Sequence, residues 1–246
     1  MKKQIPNLFT LLNLFTGCIA AKYAFEGVWD RVVIFTFIGA VFDLFDGMAA
    51  RILKAHSPIG KELDSLADVV SFGLVPGVIL YTLFKQDLQI LYGMNFSQEL
   101  KVLTYLPFIV TLFSALRLAK FNIDTRQSDS FIGVPTPANT LLIISLPMIA
   151  IHGDKRFADI IGNPWVIAGF AIVTSYLLVS EIHLLGFKFK TFGWKGNEIK
   201  YIFIALIPIL GVFLHFLAIP ILFVIYILLS FVSPSIPKPR QREEKK

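Results

Sequence analysis

Four aspartates, Asp43, Asp46, Asp64 and Asp68, fall within one short stretch of this 246-residue chain. The first two are three residues apart and the last two are four apart, and either spacing places both side chains on one face of a helix. Both pairs stand in or beside apolar runs, where an ionised carboxylate is expensive. On two neighbouring antiparallel helices, four such groups converge, repel one another and oppose each other's ionisation. Divalent cations remove that conflict. An all-oxygen ligand set suits Mg²⁺ or Mn²⁺, and four carboxylates can hold two ions. Helix capping, or pairing with Arg51, Lys54 and Lys61, accounts for any single Asp but poorly for all four. A divalent-cation transporter could use the same cluster and stays open as a rival of another class.

Small residues accompany the acids. Gly47 follows Asp46, Ala50 precedes Arg51, and Gly60 lies four residues before Asp64. Such positions let a planar group approach a helix backbone, although small residues also serve ordinary helix packing in membranes. Arg51 offers a two-pronged phosphate contact or, more simply, an interfacial anchor. Ser57 could add a hydroxyl to a phosphate or merely belong to a loop.

The elements that must position these groups are membrane helices. Hydrophobic residues make up 55% of the chain and charged residues only 16%, too little polar surface for a soluble domain of this size. A helix needs about 20 apolar residues to cross the hydrocarbon core. That length predicts spans at 7–26, 32–52, 62–84, 102–121, 137–152, 164–182, 199–215 and 217–233, with a turn between His215 and Pro220. Met1-Lys2-Lys3 reads as the start of a retained first helix, since no small-residue cleavage site follows. The chain from Ser233 reads as a short disordered tail. With eight spans, 17 of the 23 Lys and Arg fall on the side of the termini. The positive-inside rule then places both termini, and the acidic cluster, on the cytoplasmic side of the cell membrane. A net charge of +6 suits anionic lipid. It does not suggest nucleic acid, because the cations flank apolar segments. The single Cys18 excludes an internal disulfide and reads as a small buried apolar residue.

The run Asp43-x2-Asp46-Gly47-x2-Ala50-Arg51-x8-Gly60-x3-Asp64-x3-Asp68 resembles the signature of the CDP-alcohol phosphotransferase family, matching at every fixed position. That resemblance implies an all-α integral membrane fold with a six-helix core, here spanning 1–184. A C-terminal helix pair and basic cytoplasmic tail would follow over 185–246. It implies a homodimer that exchanges CMP for an alcohol, with two divalent cations held by Asp43, Asp46, Asp64 and Asp68. Asp68 would also act as general base. Gly47, Ala50, Arg51, Ser57 and Gly60 would hold the CDP portion of the lipid. Asn7 and Thr10, from Pro6-Asn7-Leu8-Phe9-Thr10, would lie near the diphosphate; they could equally cap the first helix.

Arg117-Leu-Ala-Lys120-Phe121-Asn122 and Phe131-Ile-Gly133-Val-Pro135-Thr136-Pro137-Ala138 are similar to the phosphatidylserine synthase branch. That branch implies CDP-diacylglycerol and L-serine as substrates. Arg117 and Lys120 would receive the serine carboxylate, with Asn122 nearby. Cations there would serve glycerol 3-phosphate or inositol phosphate equally well, and positive-inside anchoring also explains them. Gly133 and the two prolines are expected to shape a loop and open the fifth helix. His56 reads as a loop residue near phosphate, and His152, His183 and His215 as interfacial. Gly73-x3-Gly77 reads as a helix-packing motif.

Overall fold

A computed structural model describes residues 4–55, 57–93, 97–124, 131–186, 193–194 and 197–232. The expectations for residues 1–3, His56, Arg126, Lys188, Lys190, Lys195 and the tail from Ser233 lie outside these residues.

Helix occupies every predicted span. The first two are α1 (Gln4–Glu26) and α2 (Trp29–Ile52). A single helical run then extends from Pro58 to Tyr92, built of α3 (Pro58–Val69), a five-residue π turn (Val70–Leu74) and α4 (Val75–Tyr92). It is longer at both ends than the expected 62–84, because Ser57 and Pro58 start the helix early and it runs unbroken to Gly93. Next come α5 (Gln98–Leu103) and α6 (Ile109–Ile123), joined by a 3₁₀ turn, then β1 (Phe131–Ile132) and α7 (Thr136–His152). The sixth expected span, 164–182, is α9 (Pro164–Val179), and a short α8 (Lys155–Ile161) precedes it at an angle of 73°. The chain closes with β2 (His183–Leu184), α10 (Glu198–Leu214) and α11 (Ala218–Val232).

Among the described residues, five helical stretches are long and apolar enough to cross a membrane, or six if the bent pair forms one span. The last stretch, Glu198–Phe231, folds back on itself. Phe203 and Tyr226 would stand about 34 Å apart on a straight helix, yet their rings are 5.7 Å apart. The reversal lies at His215, which has φ 49° and begins a 3₁₀ turn, within the predicted His215–Pro220 segment.

Small residues set the packing around the site. On α1, the packed side runs through Thr10, Asn13, Gly17, Ala20, Ala21 and Ala24. Cys18 falls off that side and is exposed, contrary to the expectation of burial. A Cβ on Gly39 of α2 would stand 2.9 Å from Thr16 Oγ1 and 3.1 Å from Asn13 Oδ1, so α1 and α2 touch closely there. Gly73 and Gly77 do act as a packing motif. Both face Thr111 on α6, and Thr111 Oγ1 donates to Gly73 O at 2.9 Å.

The only β structure among the described residues is the antiparallel ladder of β1 with β2. Gly133, just after β1, has φ +73°, and a Cβ there would lie 2.5 Å from Leu178 O. That backbone approach explains the glycine in the loop. It also ends α9 at Val179, short of the expected 182: Gly133 N donates to Ile182 O at 2.9 Å and pulls the chain into the ladder. Pro137 then lies in the first turn of α7, where its missing N–H costs nothing.

Candidate active site

One helix ties the two acidic pairs together. Asn13 and Thr16 of α1 meet Gly39, and Asp43 stands one turn beyond Gly39 on that face of α2. A turn earlier on α1, Thr10 Oγ1 donates to Asp46 Oδ2 at 2.6 Å. On the other side, Asn13 Nδ2 donates to Asp68 Oδ1 at 3.4 Å, and Ser71 Oγ donates to Asn13 O at 3.1 Å. So α1 runs antiparallel to α2 and parallel to α3, and holds both carboxylate pairs at one depth.

Carboxylate oxygens of Asp43, Asp64 and Asp68 lie within 4.8 Å of one another. Asp46 stands outside that trio. It is buried, held by Thr10, and lines the adjoining cavity together with Asp64. None of the four forms an ion pair with Lys or Arg among the described residues. Three carboxylates gathered in a wall of apolar helices fit hard divalent ions, which would relieve their mutual repulsion.

The cavity, of about 590 Å³, opens beside the acids. Asn7, Thr10, Gly47, Ala50, Arg51, Ser57 and Gly60, every residue expected to hold the CDP portion, line it. Arg51 Nε donates to Gly47 O at 2.9 Å, which leaves the terminal nitrogens for a ligand. Ser57 accepts from Gly60 N at 3.0 Å and caps α3, so its oxygen serves the helix while facing the cavity. A Cβ on Gly60 would come within 3.0 Å of Ser57 Oγ and 3.1 Å of Asn7 Oδ1; one on Gly47 would meet only Arg51 Nη2, at 3.7 Å.

The three residues expected at the acceptor end separate. Arg117 and Lys120 line one small cavity with Glu181 and Ser180. Asn122 is engaged elsewhere. Its Nδ2 donates to Ser65 Oγ at 2.7 Å, and its carbonyl accepts from Lys61 Nζ at 2.8 Å, tying α6 to α3.

Sequence reasoning missed Asn13 and Lys61. Lys61 lines the large cavity. Asn13 belongs to a polar stripe at helical spacing, Asn7, Thr10, Asn13 and Gly17, which was visible in the otherwise apolar α1. The π turn that follows Asp68 has no marker in its sequence Val70-Ser-Phe-Gly-Leu74. Such turns are frequent at functional sites.

Comparison with known proteins matches residues 3–192 to the CDP-alcohol phosphatidyltransferase family. The chain is 32% identical over 205 residues to a Helicobacter pylori protein named CDP-diacylglycerol–serine O-phosphatidyltransferase, covering 82% of this chain and 80% of that one. A Bacillus subtilis protein of the same name is 35% identical over 184 residues, covering 75% of this chain and 91% of the other. A third, from Methanocaldococcus jannaschii, is 30% identical over 178 residues, covering 72% of each.

Proposed function

The chain belongs to the CDP-alcohol phosphatidyltransferase family, and on that premise we propose that it transfers a phosphatidyl group from CDP-diacylglycerol to L-serine. The products are phosphatidylserine and CMP. The observation that carries the chemistry is the convergence of Asp43, Asp64 and Asp68 beside a cavity walled by Gly47, Ala50, Arg51 and Gly60. Support for serine comes from the names of the relatives and from Arg117 and Lys120, a cationic pair facing one small cavity.

Divalent cations held by Asp43, Asp46, Asp64 and Asp68 would neutralise the diphosphate and the departing CMP. Arg51 binds diphosphate oxygens through its terminal nitrogens. Gly47, Ala50 and Gly60 leave room for the nucleotide, with Asn7 and Thr10 at the diphosphate. Asp68 takes the proton from the serine hydroxyl as that oxygen bonds to the lipid-side phosphorus and the bond to CMP breaks. Thr10 and Asn13 fix the carboxylates of Asp46 and Asp68 in place. Arg117 and Lys120 receive the serine carboxylate. Asn122, already bonded to Ser65, drops out of that group.

The lipid tails enter sideways from the bilayer. Both termini and the cavity face the cytoplasm at the cell membrane, on the distribution of Lys and Arg. The catalytic core is 1–184, with 185–246 as an appended helix pair and tail; the resemblance also implies a homodimer, which light scattering in detergent checks.

The test is CMP release by the purified protein with CDP-diacylglycerol, Mg²⁺ or Mn²⁺, and serine, glycerol 3-phosphate or inositol phosphate in separate reactions. Release with serine is expected. Release only with another acceptor contradicts the serine assignment while keeping the family chemistry. No release with any acceptor, together with metal flux into sealed vesicles, would point to the transporter instead.

A further inference from the structure

Arg117 and Lys120 suit the carboxylate of an amino acid, while its ammonium group needs oxygen acceptors, and the small cavity that the two cations line also carries Asp124 and Glu181. Unpaired polar atoms, acceptors among them, lie around the π turn that follows Asp68. Ser114 Oγ and Arg117 Nε on α6, and Thr136 Oγ1 and both amide atoms of Asn139 on α7, are buried and have no hydrogen-bond partner. Thr136 and Asn139 are each 1% exposed. Neither caps α7. Buried polar atoms in apolar surroundings are nearly always paired, so a group of unpaired ones calls for a ligand that completes them.

Their placement is fixed by contacts to the turn. Thr140 Oγ1 donates to Phe72 O at 3.1 Å and docks α7 there. Thr136 lies one helical turn before Thr140 and, at i,i+3, one turn before Asn139, which places it between them on that part of α7. From α6, Ser114 Cβ comes within 3.1 Å of where a Cβ on Gly73 would be, and Arg117 follows Ser114 by one turn. Asp68 precedes the π turn by two residues. Asp68, the α6 segment that carries Arg117 and the start of α7 therefore all border one buried turn.

We infer that Asn139 and Thr136 form the subsite that selects the amino group of the acceptor, on the premise that the acceptor is serine as proposed above. Asn139 Oδ1 and Thr136 Oγ1 accept hydrogen bonds from the ammonium, Arg117 takes the carboxylate, and the hydroxyl faces Asp68. The positive end of the α7 dipole favours the carboxylate and would by itself repel the ammonium. In this subsite the two side-chain oxygens, and not the helix end, select the amino group.

The experiment compares serine with 3-hydroxypropionate, which keeps the hydroxyl and carboxylate but lacks the amino group. In the unaltered protein, kcat/KM is expected to favour serine by more than about a hundredfold, since a site built to pair a polar group strongly rejects an analogue without it. A smaller ratio overturns the subsite and needs no variant. Asn139→Leu and the near-isosteric Thr136→Val should each raise KM for serine by about fivefold or more and shrink that ratio, with KM for CDP-diacylglycerol unchanged. Serine KM left unaltered in both variants, in a protein that does use serine, overturns the subsite alone. A protein that uses glycerol 3-phosphate or inositol phosphate and not serine overturns the serine assignment, and the subsite with it.

Discussion

On the α1–α3 side of Asp68 small residues and polar groups, Arg51 and Lys61 among them, line an open cavity of about 590 Å³, whereas on the α6–α7 side the polar groups are packed away, with Ser114, Thr136 and Asn139 almost wholly buried. A nucleotide lipid brings its own charge and is already anchored in the bilayer, so its site can stay open and rely on room and charge. A small zwitterion brings neither size nor anchoring. It can be selected only by matched polar atoms in a closed setting, where an unpaired group on either partner is heavily penalised. In the proposed reaction Asp68 stands where the two kinds of recognition meet.

Removing the group shared by both sides should have the largest effect. Asp68→Asn is expected to lower turnover by at least about a thousandfold, with the elution profile and helical signal of the purified protein intact. Normal turnover would remove Asp68 from the chemistry. Arg51→Lys keeps the charge but loses the fork, and kcat/KM for CDP-diacylglycerol should fall by roughly tenfold or more while serine KM stays put. A rise in serine KM would instead blur the two sides.

The glycines give a finer test of the open side. Gly60→Ala pushes a methyl against Ser57 Oγ and Asn7 Oδ1. It should raise KM for the CDP-lipid and also loosen the start of α3, seen as a lower thermal midpoint. Gly47→Ala meets only Arg51 Nη2 at 3.7 Å. It should leave the thermal midpoint unchanged and act on lipid KM alone. Equal thermal losses would mean that the Gly47 wall is not open.

Asn122→Ala should have the smallest effect. It loses one hydrogen bond to Ser65, worth about 1 kcal/mol of stability, and serine KM should remain within about twofold. A serine KM shifted as far as by Asn139→Leu would bring Asn122 back into the acceptor site.

The open side was legible from sequence because its chemistry is conspicuous there. Carboxylates in apolar helices are costly, so Asp43, Asp46, Asp64 and Asp68 stand out from their surroundings, and the spacing to Gly47, Arg51 and Gly60 follows along the same two helices. The spans were legible for the same reason, since apolar length is what a bilayer demands. The buried side was not. Asn139 and Thr136 look like ordinary residues at a helix start, and only the docking of Thr140 on Phe72 brings that end of α7 to the turn after Asp68. The π turn, the bond from Asn122 to Ser65 and the β1–β2 ladder depend on tertiary contacts, which helical periodicity does not encode.

The most direct test of the account follows the acceptor itself. The purified protein in lipid nanodiscs would receive CDP-diacylglycerol, isotopically labelled serine and Mn²⁺ or Mg²⁺, with and without a chelator. The account predicts labelled phosphatidylserine and CMP in equal amounts, both lost on chelation. CMP released without label entering lipid, or labelled lipid formed equally well with the metal removed, would contradict it.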